Sequence, residues 1–186
     1  MQQKRRTSTG LQSVRKKKRP QGRKTAQTTG QTPSVSLPTA LTYRLRRPED
    51  DEYIVKLTSE QLGGIHQNAF GEPFPESTFL HYLQSGAPTV IIEKDGKRIG
   101  YYSYLVGPAE KMHISAMVLE PQYQSSGIGR EVMARIEKRA KEQGIQVLEV
   151  FVQENNEKSL NFTRQLGFQE VFRLEPHSIA FQKRIL

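Results

Sequence analysis

The stretch Gln124-Ser125-Ser126-Gly127-Ile128-Gly129 sets two glycines and two serines directly ahead of a segment whose apolar residues recur at helical spacing. A turn of this kind can bind an anion. The first amides of a helix find no acceptor within the helix, and its aligned peptide dipoles add partial positive charge at that end. Gly127 and Gly129 would let a phosphate approach the backbone without a Cβ in the way. The same residues would also serve an ordinary tight turn, so the elements around them must decide.

Other chemistry is narrowed by composition. There is no cysteine, which excludes disulfides, thiolate nucleophiles and cysteine-ligated zinc. His66, His81, His113 and His177 lie far apart without ligand-like spacing, so no metal site is expected. His113 has an ordinary pKa suited to moving protons near neutrality, although a lone histidine on a half-buried strand is also a common packing residue. No apolar run is long enough to cross a membrane or to form the core of a secretory signal, and a cytoplasmic chain, monomeric or homodimeric, is expected.

The elements that must position these residues begin near residue 41. Residues 43–46 read as a short strand. Pro48-Glu49-Asp50-Asp51 suits the first turn of a helix, and Tyr53, Ile54, Leu57, Gln61 and Leu62 continue at helical spacing until Gly63-Gly64 stops it. Residues 68–77 form a Pro/Gly loop carrying Phe70 and Phe74, and residues 79–83 a second short helix. Asp95-Gly96 is a two-residue turn signal joining strands 88–93 and 98–106. Residues 113–119 make a further strand, with Ile114, Ala116 and Val118 alternating against His113, Ser115 and Met117. After the glycine turn, Ile128, Val132, Met133, Ile136 and Ala140 form one apolar stripe of a helix that Gly144 ends. Strand 146–152, helix 156–166 and closing strands 168–174 and 178–185 complete the order. The expected fold is α+β, a mixed, mostly antiparallel sheet of about six to seven strands flanked by about four helices.

The charge is distributed unevenly. The whole chain carries +9, yet residues 1–40 hold ten of the 28 Lys/Arg and none of the 19 acids. That segment also has no aromatic residue and few aliphatics, too little apolar area to offset the entropy of ordering it, and it reads as a disordered basic tail. Its Arg15-Lys16-Lys17-Lys18-Arg19 cluster could contact RNA, a ribosome or DNA through phosphates, serve targeting, or be a solvated extension. Residues 41–186 are then the domain.

Two segments at this spacing resemble the signatures of the GNAT acetyltransferases. Residues 118–129, from Val118-Leu119 through Gln124-Ser125-Ser126-Gly127-Ile128-Gly129, resemble the family's strand-four and pyrophosphate motif. Residues 156–168, from Asn156 through Leu166-Gly167-Phe168, resemble its second signature, and the element order from Tyr43 to Ile185 agrees. A Rossmann site does not fit, since one glycine motif after an antiparallel meander is not a βαβ unit. The resemblance implies acetyl-CoA as co-substrate, lying in a splay between strands 113–119 and 146–152. Backbone amides near Met117 and Val118 would meet the pantetheine arm. Residues 125–130 (Ser125, Ser126, Gly127, Ile128, Gly129, Arg130) together with Gln124 would hold the pyrophosphate, and Asn156 would contact coenzyme or acceptor. The implied reaction is acetyl transfer to an amine, on a peptide, a protein or a small molecule.

Acid–base roles are less complete. Where many relatives carry a proton-donating tyrosine, this chain has Thr163, which could hydrogen-bond the leaving sulfur but is a weak acid. His113 occupies the strand position of a catalytic glutamate in some relatives, and Glu149 on the next strand is an alternative base. Phe70, Glu72, Phe74 and Glu76 in the loop between the first two helices would receive the acceptor, the acids attracting its cationic amine. A chain that binds the coenzyme but catalyses weakly, and acts through its basic tail, is the alternative expectation.

Overall fold

The computed structural model describes residues 40–186, so the expectations for the basic tail lie outside the described residues. Seven strands form one sheet: β1 (Thr42–Leu45), β2 (Thr89–Lys94), β3 (Lys97–Gly107), β4 (Lys111–Leu119), β5 (Val147–Gln153), β6 (Gln169–Leu174) and β7 (Ser178–Arg184). Four α-helices accompany them: α1 (Asp51–Phe70), α2 (Glu76–Gln84), α3 (Ile128–Glu142) and α4 (Glu157–Gln165). The strand order is β1-β2-β3-β4-β5-β7-β6, and every neighbouring pair is antiparallel except β4–β5. The expected α+β architecture is the one observed.

Local chemistry accounts for most of these elements. Asp95 and Gly96 both adopt positive φ, 52° and 72°, as the tight turn between β2 and β3 requires. The stripe Ile128, Val132, Met133, Ile136 and Ala140 is buried against one face of the sheet, in a core that includes Ile92, Ile114, Leu148 and Phe181. Each large aliphatic side chain buried there contributes about 1.5–3 kcal/mol. The opposite face carries a smaller core of Ile54, Leu57, Leu83, Ile91, Tyr101 and Val118, which holds α1 and α2.

Two expectations change. Gly63-Gly64 does not stop the first helix, which runs on to Phe70 and ends at Gly71 with φ 75°. Gly63 is half-buried in the helix, with Ser59 and Phe74 beside it, so the packing surface offsets the roughly 1 kcal/mol that each glycine costs a helix. The expected loop at 68–77 shrinks accordingly to 71–75. The simple alternation expected along β4 also fails. Ser103 pairs with Ala116 but Tyr104 with Ile114, leaving Ser115 as the extra residue of a bulge. Beyond it the faces exchange: Met117 and Leu119 join Ile114 in the main core, while Ala116 and Val118 turn to α1.

One buried ion pair anchors the N-terminal edge. Asp50 is fully buried and accepts from Arg44 Nη1 and Nη2 at 2.6 and 2.9 Å, from the Arg47 amide at 2.8 Å and from Arg98 Nη1 at 3.3 Å. The Arg44 fork, chiefly, lowers the Asp50 carboxyl to about 2. Because the folded value lies below the unfolded one, the resulting stability is present above the ordinary aspartate pKa and is lost as pH falls toward about 2. Urea unfolding should therefore show wild type losing roughly 2 kcal/mol relative to Asp50→Asn between about pH 4 and pH 2. Asp50→Ala should cost about 1–3 kcal/mol at neutral pH, because it removes the buried partner of Arg44 and Arg98 and leaves Arg44 only its contact with Glu93. Equal acid sensitivity of wild type and Asp50→Asn would refute this account.

Candidate active site

The turn before α3 leaves a run of backbone amides free, a candidate cradle for an anion. After a single 3-10 turn at Pro121–Tyr123, Ser125 takes φ 59° and Gly127 φ 88°, and α3 starts at Ile128. The amides of Arg130 and Glu131 donate to the Gly127 carbonyl at 3.0 and 3.2 Å. Those of residues 125–129 have no acceptor among the described residues, giving five successive free donors at a helix N-terminus. Glutamine and serine side chains support the turn from within: Gln124 Nε2 donates to the Leu119 carbonyl at 2.7 Å, and Ser126 Oγ to the Tyr123 carbonyl at 2.7 Å. Ile128 is buried, so only its amide faces the cradle. Arg130 is exposed and donates to Gln165 at 2.8 Å, tying α3 to α4.

The two glycines have different tasks, contrary to the expectation that both clear a path for phosphate. A Cβ on Gly127 would meet nothing within 4 Å, and its positive φ turns its amide into the cradle. A Cβ on Gly129 would stand 3.1 Å from the Phe162 ring, so that glycine lets α3 approach α4.

Beside the cradle the sheet opens. Strands β4 and β5 pair only over residues 111–114 and 147–150; past Ile114 and Val150, β4 continues with β3 and β5 with β7. The edge of β4 at Ala116, Met117 and Val118 thus has no strand partner on the β5 side. Helix α1 bridges the opening, since Gln124 Nε2 donates to Gln61 Oε1 at 3.0 Å and Asn155 Nδ2 to the Ile65 carbonyl at 3.0 Å. Asn156 is buried at the start of α4, where its Oδ1 accepts from the Ser159 amide at 3.1 Å, leaving Nδ2 as its remaining polar atom. A long, thin ligand with an anionic end fits this opening: amides for the anion, an unpaired strand edge for an amide-bearing arm.

Below the opening, on the α1 side of the sheet, the register sets His113 opposite Glu149 and Glu149 opposite Gln182. Gln182 Nε2 and Lys111 Nζ donate to Glu149 Oε2 at 2.6 and 3.1 Å, while Oε1 lies 3.7 Å from His113 Nδ1. Burial raises the Glu149 pKa, but these donors, with His113, hold it below the ordinary glutamate value. Burial lowers the His113 pKa, Glu149 opposing and Lys111 assisting, so the imidazole is neutral at pH 7. Its ring packs 4.3 Å from that of Phe151. Phe151 and Gln182 escaped the sequence reading because only the strand register brings them to His113; Lys111, two residues before it on the same strand, was missed because β4 starts at Lys111 and not at His113.

The remaining expected residues divide. Thr163 is buried on α4, beside Leu160 in the same inward face of the helix. Phe70 and Phe74 pack 4.7 and 5.8 Å from His66, and Glu72 lies 4.0 Å from His66, so these three gather around one histidine. Glu76 stands apart, lining the groove between α1 and α2 with Asp51, Glu52 and Lys56. The acceptor loop is therefore not one constellation. Among the described residues no cluster of three or more candidate metal ligands occurs, and no helix is long and apolar enough to cross a membrane.

Comparison with known proteins agrees with this geometry. Residues 54–168 match the model of the Acetyltransferase (GNAT) family. The thialysine N-epsilon-acetyltransferase of Bos taurus is 24% identical over 134 residues, covering 69% of this chain and 75% of that protein. Among solved structures, the PaiA N-acetyltransferase from Thermoplasma acidophilum in complex with coenzyme A superposes with a TM-score of 0.64 at 19% identity, over 78% of this chain and 99% of that one. YncA of Salmonella typhimurium with its cofactor acetyl-CoA gives 0.58 at 18% identity, over 78% and 94%. With the family match spanning more than half of its length, the chain belongs to the acetyltransferase (GNAT) family and is an N-acetyltransferase whose co-substrate is acetyl-CoA.

Proposed function

We propose that this chain acetylates a primary amine by direct attack of the neutral nitrogen on the thioester, with the five free amides of residues 125–129 as the carrying observation. Bound acetyl-CoA supplies an activated acyl carbon and a thiolate leaving group. The cradle, with Gly127 at its centre, holds the pyrophosphate. The unpaired β4 edge at Met117 and Val118 pairs with the pantetheine arm, and Asn156 Nδ2 donates to it. On the α1 side, neutral His113 accepts the amine proton at Nε2. Glu149, held through its other oxygen by Lys111 and Gln182 and 3.7 Å from Nδ1, acts in this reading by its charge on the imidazole and not as the base. Thr163 hydrogen-bonds the departing sulfur without protonating it, since an alcohol is too weak an acid; coenzyme A leaves as the thiolate and is protonated from bulk solvent, to which His113 returns the proton it took from the amine. The thialysine acetyltransferase similarity supports an amine acceptor.

Thiol release from acetyl-CoA by the full chain, measured against amines and peptides, tests this reading. Turnover dependent on the amine is expected, and its absence with every acceptor would refute it. Removing residues 1–40 should leave turnover of small amines within about twofold, since the site residues all lie beyond the tail. Salt-sensitive RNA or DNA binding lost with the tail, and no turnover, would instead favour a coenzyme-binding chain acting through that tail.

A further inference from the structure

Half of the sheet's α1-side face is not covered by α1 and α2. Phe151 on β5 and Phe172 on β6 both pair with Ala180 on β7, so the three side chains form one row across the sheet. The row lies on the α1 side, because Ile179 and Phe181, which flank Ala180, point into the core on the other side. Phe151 and Phe172 remain 44% and 46% exposed, while Ala180 beneath them is buried. Helix α1 reaches this half only through its C-terminal end, where Phe70 meets His177 of the β6–β7 turn at 5.7 Å. Phe70 itself is 39% exposed. The row begins at the reacting centre, Phe151 being the residue whose ring packs at a tilt against His113.

We propose that this floor binds an apolar side chain adjoining the acceptor amine, making the acceptor a peptide amine beside a hydrophobic residue. The proposal rests on the acetyl-transfer reading above and names its substrate class. Charge argues against a polyamine. Glu149 on β5 and Glu154 just after it already face Lys111 and Arg173, so an ammonium would have to displace a cation there. Area argues against a second copy of the chain. Aromatic side chains at this exposure offer about 100 Å² each, roughly 300 Å² in all, against the about 800 Å² per partner of a stable interface. That area suits one or two side chains of a peptide.

The test is thiol release by the full chain on short peptides that differ only in Leu, Phe, Ser or Asp beside the amine. One set presents a free α-amine without lysine. The other is blocked at its N-terminus with a single lysine, and spermidine is run in parallel. For one of the two peptide sets, kcat/KM should be on the order of tenfold higher with Leu or Phe than with Ser, and higher than for spermidine. Phe172→Ser should raise KM for the apolar peptide about tenfold, with kcat within about twofold and coenzyme A binding by calorimetry unchanged. Leu45→Ser, on the far edge strand and 70% exposed, should alter none of these. Equal rates for polar and apolar peptides, or turnover of spermidine alone, would overturn the peptide acceptor while leaving acetyl transfer intact. A dimer that Phe172→Ser dissociates in sedimentation would make the floor a subunit contact, and inhibition by a residue 1–40 peptide abolished by Phe172→Ser would assign it to the tail; either overturns the proposal. Failure to acetylate any acceptor would remove the acetyl-transfer reading and this one together.

Discussion

Gly127→Glu is expected to weaken acetyl-CoA binding by on the order of a hundredfold or more, because three effects act on one atom group. The substitution puts a carboxylate among five free amides that would otherwise hold a pyrophosphate. It places a Cβ in the open space in front of the cradle, where nothing of the protein lies within 4 Å. It also asks a side chain to adopt φ 88°, a strain of about 1–2 kcal/mol. Only the strain acts on the folded chain itself, so thermal unfolding should shift little while calorimetry loses the binding signal. Gly127→Ala separates the contributions. It shares the strain without the charge and should retain most of the affinity that Gly127→Glu loses. Retained micromolar binding by Gly127→Glu would show that the amides are not the pyrophosphate site.

The second large effect is expected at His113. If it takes the proton from the attacking amine, His113→Ala should lower kcat/KM by about 10² to 10⁴ without changing acetyl-CoA affinity. The pH profile carries the more specific test. The neutral imidazole is the active form, so rate should rise with pH through the His113 pKa, and burial puts that rise below the ordinary histidine value. The charged groups facing the ring are Glu149 on β5 and Lys111 on its own strand; Gln182 on β7 and Leu105 on β3 are uncharged. Glu149→Gln removes the carboxylate that favours the imidazolium, so the rise should move to lower pH. Lys111→Met removes an opposing cation and should move it to higher pH. An unchanged rate and profile in His113→Ala would take this residue out of the mechanism, with water and backbone carbonyls left to accept the proton.

The local signals had local causes and were therefore legible in the residues. Asp95-Gly96 turns because both positions take positive φ, and α3 is amphipathic because its sheet-facing stripe recurs at the helical period. The glycine turn followed by a second motif at Asn156 to Phe168 was enough to name the family, and the observed sheet and helices agree with it. Gly63-Gly64 misled because helix propensity is a small term beside tertiary packing, here the contacts of Gly63 with Ser59 and Phe74.

What the sequence determined by itself is the family, the order of elements and the backbone chemistry of residues 124–129, all carried by neighbours in the chain. What only the tertiary structure decided is which side chains share a face. The bulge at Ser115 reverses the alternation along β4, so His113 faces the side of Ala116 and Val118 and not that of Met117. The strand order β4-β5-β7 then brings Glu149, Phe151 and Gln182 to its side, from positions up to 69 residues away in the chain. Gly129 likewise read as a second phosphate glycine until Phe162 of α4 was found against it. In each case one inserted residue or one long-range pairing sets the direction of a side chain, and neither leaves a periodic trace in the sequence.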